Sequence, residues 1–148
     1  QAGINICLGT DGCGSNNTQN LFQEMNFAGL IYKGQNEKAK CIDAQDVLRF
    51  ATLAGARALG MEDQLGVIRE GALADLILLD LNVPEFVPQN NLVSALVYSA
   101  NGSEVDTVLV DGRVVMENKK LLTLDEQMIY QQCERITERL GMNSVSSR

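Results

Sequence analysis

The stretch that decides the fold is Ile4-Asn5-Ile6-Cys7-Leu8-Gly9-Thr10-Asp11-Gly12. Residues 4–8 form an apolar run, partly β-branched and stopped by glycine, which is the pattern of a short buried strand. Just past its C-terminal end stands one carboxylate, Asp11, held between Thr10 and Gly12. In α/β folds the C-terminal ends of parallel strands are where loops leave an open crevice and reactive groups gather. Asp11 is therefore the leading functional candidate. An Asp-Gly pair after a strand is also ordinary turn composition, so the rest of the chain has to decide between the two.

Beyond Asp11, Gly12-Cys13-Gly14-Ser15-Asn16-Asn17-Thr18 reads as a loop. Its glycines, with Gly9, do not follow the G-x-G-x-x-G order of a dinucleotide turn, and Asp11 would face the pyrophosphate, so nucleotide binding here is disfavoured. A helix is expected over residues 20–33, with Leu21, Met25, Ala28 and Tyr32 on one face and Gly34 as its C-cap. Residues 35–41 are polar and suit a surface connection. Asp43 is expected to cap a second helix with Asp46 in its first turn. Val47, Leu48, Ala51 and Ala54 form its buried face, Gly55 interrupts it, and residues 56–60 add a further short turn.

From about residue 61 the texture changes. Residues 66–72 are glycine-punctuated, and residues 75–80 read as a buried strand between two acids. A helix is favoured over residues 92–99. Residues 105–110, then Asp111-Gly112, then 113–117 make a hairpin with a two-residue turn. Thr123 to Glu126 reads as a capping box for a last helix, with Ile129, Cys133, Ile136 and Leu140 on its face and Gly141 at its end. Residues 144–148 read as tail. The expected division is residues 1–60 as strand plus helices, 61–122 as a β module, and 123–148 as terminal helix and tail.

Composition narrows the function classes. The chain has 148 residues, 45% apolar and 21% charged, which suits one soluble globular core. Its net charge of −7 repels a phosphate backbone, so no nucleic-acid partner is expected, and anionic membrane surfaces are disfavoured. No apolar run approaches a membrane span and no signal peptide is visible, so a cytoplasmic location is expected. The four cysteines form no CxxC pair, as in reduced cytosolic chains, and Cys7 and Cys133 read as small buried residues. The chain has no histidine. That excludes a self-contained zinc hydrolase site or a Ser-His-Asp triad.

Taken in order, several segments resemble the C-terminal part of the amidohydrolase superfamily, in its deaminase and chlorohydrolase branch. They are Leu8-Gly9-Thr10-Asp11-Gly12 with Ser15-Asn16-Asn17; Phe22-Gln23-Glu24-Met25; Ala51-Thr52-Leu53-Ala54-Gly55-Ala56-Arg57-Ala58-Leu59-Gly60; Gly66-Val67-Ile68 with Gly71-Ala72-Leu73-Ala74-Asp75-Leu76; Leu96-Val97-Tyr98-Ser99-Ala100-Asn101-Gly102; and Val108-Leu109-Val110-Asp111-Gly112. Singly they are weak; their order and spacing make the signal specific.

The resemblance implies a fold of α/β plus β class: the last strand and helices of a (β/α)₈ metal-dependent hydrolase barrel, the C-terminal share of a composite β-sandwich, and a terminal helix. It implies that residues 4–8 are the eighth barrel strand. It also implies that Asp11 is the aspartate that contacts a divalent metal, zinc or iron, and takes a proton from the water that the metal activates. The implied reaction is hydrolytic deamination of a purine nucleoside such as 5-methylthioadenosine or S-adenosylhomocysteine, a small-molecule substrate. The alternatives are a guanine deaminase or triazine-type chlorohydrolase piece, or a non-catalytic interaction or oligomerisation domain.

Family members carry metal histidines and a catalytic glutamate upstream of this region, along with most base- and ribose-binding residues. The expectation is thus a C-terminal fragment, with Asp11 a metal contact only in the intact enzyme and no metal or activity in this chain alone. Self-association through exposed barrel surfaces, as a homo-oligomer, is expected. Asn16, Asn17 and Glu24 are candidates to support Asp11 from behind. Their simpler readings are loop-holding asparagines and a solvent-facing helix glutamate.

Overall fold

The computed structural model describes residues 3–36 and 41–141. The connection expected at 35–41 therefore falls largely outside the described residues, and the tail at 144–148 does so entirely. Five α-helices and four strands follow in order: α1 (Leu21–Asn36), α2 (Ala44–Ala51), α3 (Leu53–Ala58), β1 (Leu76–Leu79), α4 (Leu92–Tyr98), β2 (Val105–Val110), β3 (Arg113–Glu117), β4 (Lys120–Leu121) and α5 (Glu126–Arg139). A single 3-10 turn, Pro84–Phe86, lies between β1 and α4.

The core is helical. α1, α2 and α4 pack on one another around Met25, Ile42, Ala44, Val47 and Val97, with Phe22, Leu48, Val93 and Leu96 closing its edges. Val47 and Val97 are fully buried. Each such side chain contributes about 1.5–3 kcal/mol by leaving water. α2 begins as its sequence directs. The Asp43 carboxylate accepts from the Asp46 N–H at 2.8 Å, and the Asp46 side chain accepts from the Asp43 N–H, a reciprocal capping box. α1 runs through Gly34 rather than ending there. The break between α2 and α3 falls at Thr52, not Gly55. Thr52 leaves helical geometry (φ −127°, ψ −95°) while its hydroxyl donates back to the Leu48 carbonyl, the local competition that makes threonine a poor helix interior.

The sheet is antiparallel in the order β1-β2-β3-β4. The hairpin of β2 and β3 forms where expected, with Asp111 and Gly112 both at positive φ (49° and 74°), the turn that matches strand twist. Asp75 latches that turn to the start of β1 by accepting from the Asp111 N–H at 2.7 Å. β1 is less buried than expected, since Ile77 and Leu78 are half exposed. β4 is an addition. It follows a second two-residue turn, Asn118-Lys119, at positive φ without glycine, which composition does not announce.

Further expectations need correction. Residues 4–8 form no strand: Ile4 is 76% and Ile6 57% exposed, and Leu8 donates one backbone hydrogen bond, to the Phe50 carbonyl at 3.0 Å. A strand exists only through a ladder partner, and none lies beside this run among the described residues. The last helix is capped by Asp125, whose carboxylate accepts from the Met128 N–H, and not by Thr123. It buries no residue, so Ile136 and Leu140 stay exposed, as do Cys133 and Cys7.

Gly66 joins the helical and sheet halves. It sits at φ +75°, and a Cβ there would lie 2.7 Å from the Leu53 backbone nitrogen and Cα. Gly66→Ala is expected to lower stability by about 2 kcal/mol or more, because a rigid helix start blocks the side chain and the conformation is strained for any L residue. Chemical denaturation followed by circular dichroism checks this; an unchanged midpoint would contradict it.

Candidate functional site

Asp11 is exposed and adopts left-handed backbone geometry at φ 57°. That geometry turns its carboxylate back over the following loop. One oxygen accepts from the Gly12 N–H at 2.6 Å and the other from the Ser15 hydroxyl at 2.7 Å. Both donors favour the charged form, so the carboxyl is held below its ordinary pKa, first by Ser15, then by Gly12, against a lesser opposing effect of desolvation. The result is an ionised acceptor facing solvent, with one edge of each oxygen already engaged.

Asn16 connects this loop to α1. Its side-chain amide donates to the Thr10 carbonyl at 3.0 Å and to Glu24 Oε1 at 2.8 Å, while its Oδ1 accepts from the Thr18 N–H. The structure thus brings Asn16 and Glu24 together directly behind the residue that precedes Asp11. Glu24 is half-buried and hydrogen-bonded, not simply solvent-facing. Asn17 is exposed and joins none of these bonds. Ser15 is the hydrogen-bond partner of Asp11 that residue-by-residue reading passes over. Its place four residues after Asp11 in a glycine-rich loop is the available signal, since an Asp-to-Ser bond of that span closes a tight turn.

The residues present do not assemble a metal centre. Among the described residues no group of three or more His, Cys, Asp or Glu side chains converges. A structural or catalytic zinc takes at least three protein ligands, and here one carboxylate and a hydroxyl stand together. Open recesses lie elsewhere among the described residues. A groove of about 730 Å³ runs between residues 3–6 and α2–α3, lined by Ile4, Ile6, Tyr32, Phe50 and Arg57. A second, of about 450 Å³, separates α2 from β1. Asp11 lines neither of these two recesses.

With that geometry in place, comparison with known proteins settles the class. The model of the Amidohydrolase family matches residues 1–115, and the chain belongs to that family. It is 46% identical over 144 residues to a 5-methylthioadenosine/S-adenosylhomocysteine deaminase of Caldanaerobacter subterraneus, a match covering 97% of this chain and 33% of that protein. It is 45% identical over 136 residues to a 5'-deoxyadenosine deaminase of Methanocaldococcus jannaschii, covering 92% and 32%. Among solved structures it resembles an adenosine deaminase from Xanthomonas campestris with bound zinc (TM-score 0.89, 34% identity, 95% of this chain and 32% of that one). It also resembles an atrazine chlorohydrolase from Arthrobacter aurescens complexed with zinc (TM-score 0.81, 31% identity, 91% and 30%). The chain spans about one third of the length of the curated relatives it matches.

The Ser15 bond makes a specific expectation. Because the folded pKa of Asp11 lies below the unfolded value of about 4, its contribution to stability is present above that value and is lost as pH falls through the folded pKa. In Ser15→Ala the Asp11 carboxyl titrates closer to pH 4, and the acid-dependent part of the stability shrinks. Carbon-detected titration of the carboxyl measures it; an unmoved midpoint would show that Ser15 does not hold the charge.

Proposed function

We propose that this chain supplies the Asp11-bearing portion of a metal-dependent amidohydrolase that hydrolytically deaminates a purine nucleoside such as 5-methylthioadenosine or S-adenosylhomocysteine. The observation that carries the reading is the Asp11 carboxylate, ionised, accessible and fixed by Ser15 and Gly12, in a chain whose curated relatives are named as nucleoside deaminases. Residues 4–8 take the part of the eighth barrel strand once a neighbouring strand is supplied, which agrees with their present exposure. Asp11 then stands where a barrel strand opens into its loop. Its role is that of an anionic ligand and proton acceptor, with Asn16 and Glu24 holding its loop. A divalent ion, zinc or iron, supplies water activation in the assembled enzyme. Its other ligands come from outside this chain, which alone is inactive.

By the same reading residues 1–60 belong to the barrel, 61–122 to the β-sandwich and 123–148 to a terminal helix. No helix among the described residues is long and apolar enough to cross a membrane, and we place the protein in the cytoplasm. A triazine-type chlorohydrolase is the second reading, favoured by the resemblance to the zinc-containing atrazine enzyme. It shares the metal and the Asp11 role but differs in leaving group.

A hybrid enzyme separates these statements. This chain replaces the matching third of the Caldanaerobacter relative, and deamination of 5-methylthioadenosine is followed. The hybrid turns over and the unjoined chain does not. Asp11→Asn, isosteric but a poor base, lowers kcat by about 10²–10⁴-fold. Full turnover by that variant, or by the chain alone, would overturn the proposal.

The apolar surface at Ile4, Ile6, Ile31, Leu59, Ile136 and Leu140 supports self-association of the isolated chain. Light scattering over a concentration series is expected to show species larger than a monomer; a monomer throughout would refute this.

A further inference from the structure

Glu104 is the one buried charged side chain among the described residues, 1% exposed, and no cation accompanies it. Its carboxylate accepts from the backbone N–H groups of Asn101, at 3.1 and 3.2 Å, and Gly102, at 2.8 Å, while its own carbonyl accepts from the Asp80 N–H at the end of β1. This fixes the 101–104 turn rigidly to the sheet. The turn reaches the other half of the molecule at one polar point. The Asn20 side-chain amide donates to the Asn101 carbonyl at 2.7 Å across 81 residues of sequence. The same Asn20 side chain caps α1, its Oδ1 accepting from the N–H groups of Phe22 and Gln23. One turn further on, α1 presents Glu24 to Asn16, and Asn16 holds the Thr10 carbonyl beside Asp11. Asn26 adds a second tie from α1 to the Tyr98 carbonyl.

We infer that Asn20 and Glu104 are positioning residues for Asp11: together they brace the start of α1 against the sheet and so fix the loop that carries the reactive carboxylate. The reasoning is geometric. The loop at residues 10–16 is exposed and glycine-rich, and its side-chain tie to the helical layer runs through Asn16 to Glu24. The orientation of that tie is only as definite as the placement of α1's first turn. Phe22 and Met25 pack that turn into the core, and the polar bonds fix its register: Asn20 against the turn that Glu104 holds, Asn26 against the end of α4. A buried carboxylate satisfied by backbone N–H groups alone is expensive in solvation, and its position at the far end of this connection gives it a purpose beyond the turn itself.

The inference rests on reading Asp11 as the reacting carboxylate, but its test needs no turnover. Asn20→Asp keeps an acceptor for the helix cap and is a good N-cap, yet it cannot donate to Asn101. Nuclear magnetic resonance on the whole chain compares it with Asn20→Ala and Glu104→Gln. In Asn20→Asp, α1 amides beyond the first turn stay as in the wild type. The Gly12 amide proton shifts away from its hydrogen-bonded position, and order parameters at residues 12–16 fall from about 0.85 to below about 0.7. Glu104→Gln gives the same response at Gly12. If Asn20→Asp restores the wild-type Gly12 signal, Asn20 is only a helix cap and the inference is overturned. If the hybrid enzyme tolerates Asp11→Asn, it is instead the reading of Asp11 that has failed.

Discussion

The structure depends on three helices, two of them short, closing over Val47 and Val97. Neither α2, at eight residues, nor α4, at seven, would hold as an isolated helix in water. Their mutual burial with α1 is what makes them helices. That packing anchors Leu8 at the end of the opening run and orients the first turn of α1. The 101–104 turn follows directly from the end of α4, whose Val97 and Tyr98 belong to that packing. The sheet is a lesser partner. It contributes the rigid hairpin and the Asp75 latch, but leaves the middle of β1 half in solvent.

How much could be read from the sequence varied with how local the determining interaction is. The hairpin at Asp111-Gly112 and the helix cap at Asp43 were legible because each is decided within four residues. The helix at 92–98 was favoured from the sequence without its cap, Asn91 bonding to the Ser94 N–H, which the structure supplies. The strand at residues 4–8 was not, because pattern specifies which faces are apolar and cannot supply the neighbour that makes a ladder. The face of α5 was misjudged for the same reason, its apolar residues being real and its covering surface absent from the described residues. The Thr52 break was displaced from Gly55 because a hydroxyl competing for a helix carbonyl can outweigh glycine's flexibility.

For the candidate site, Asp11 was singled out by its place after an apolar run and by the ordered motifs that follow. Asn16 and Glu24 were named on the same grounds, and the geometry joins them by a single bond. Ser15 was not singled out, although its hydroxyl has the largest effect on the Asp11 charge. The tie from Asn20 to Asn101 spans 81 residues, and no local pattern encodes a contact of that separation. Long-range polar contacts of this kind are where reading by periodicity ends.

The left-handed backbone at Asp11 has a consequence for what can replace it. Glycine, asparagine and aspartate visit φ near +57° more readily than other residues, although Lys119 holds φ 61° in the β3–β4 turn. Glycine lacks a carboxylate and asparagine lacks its charge. Glutamate has the charge but neither the backbone tolerance nor the reach to keep both the Gly12 and Ser15 bonds. On the proposed role of Asp11, a conformational and a chemical preference therefore favour the same amino acid, and the usual conservative exchange of aspartate for glutamate is disfavoured at this position.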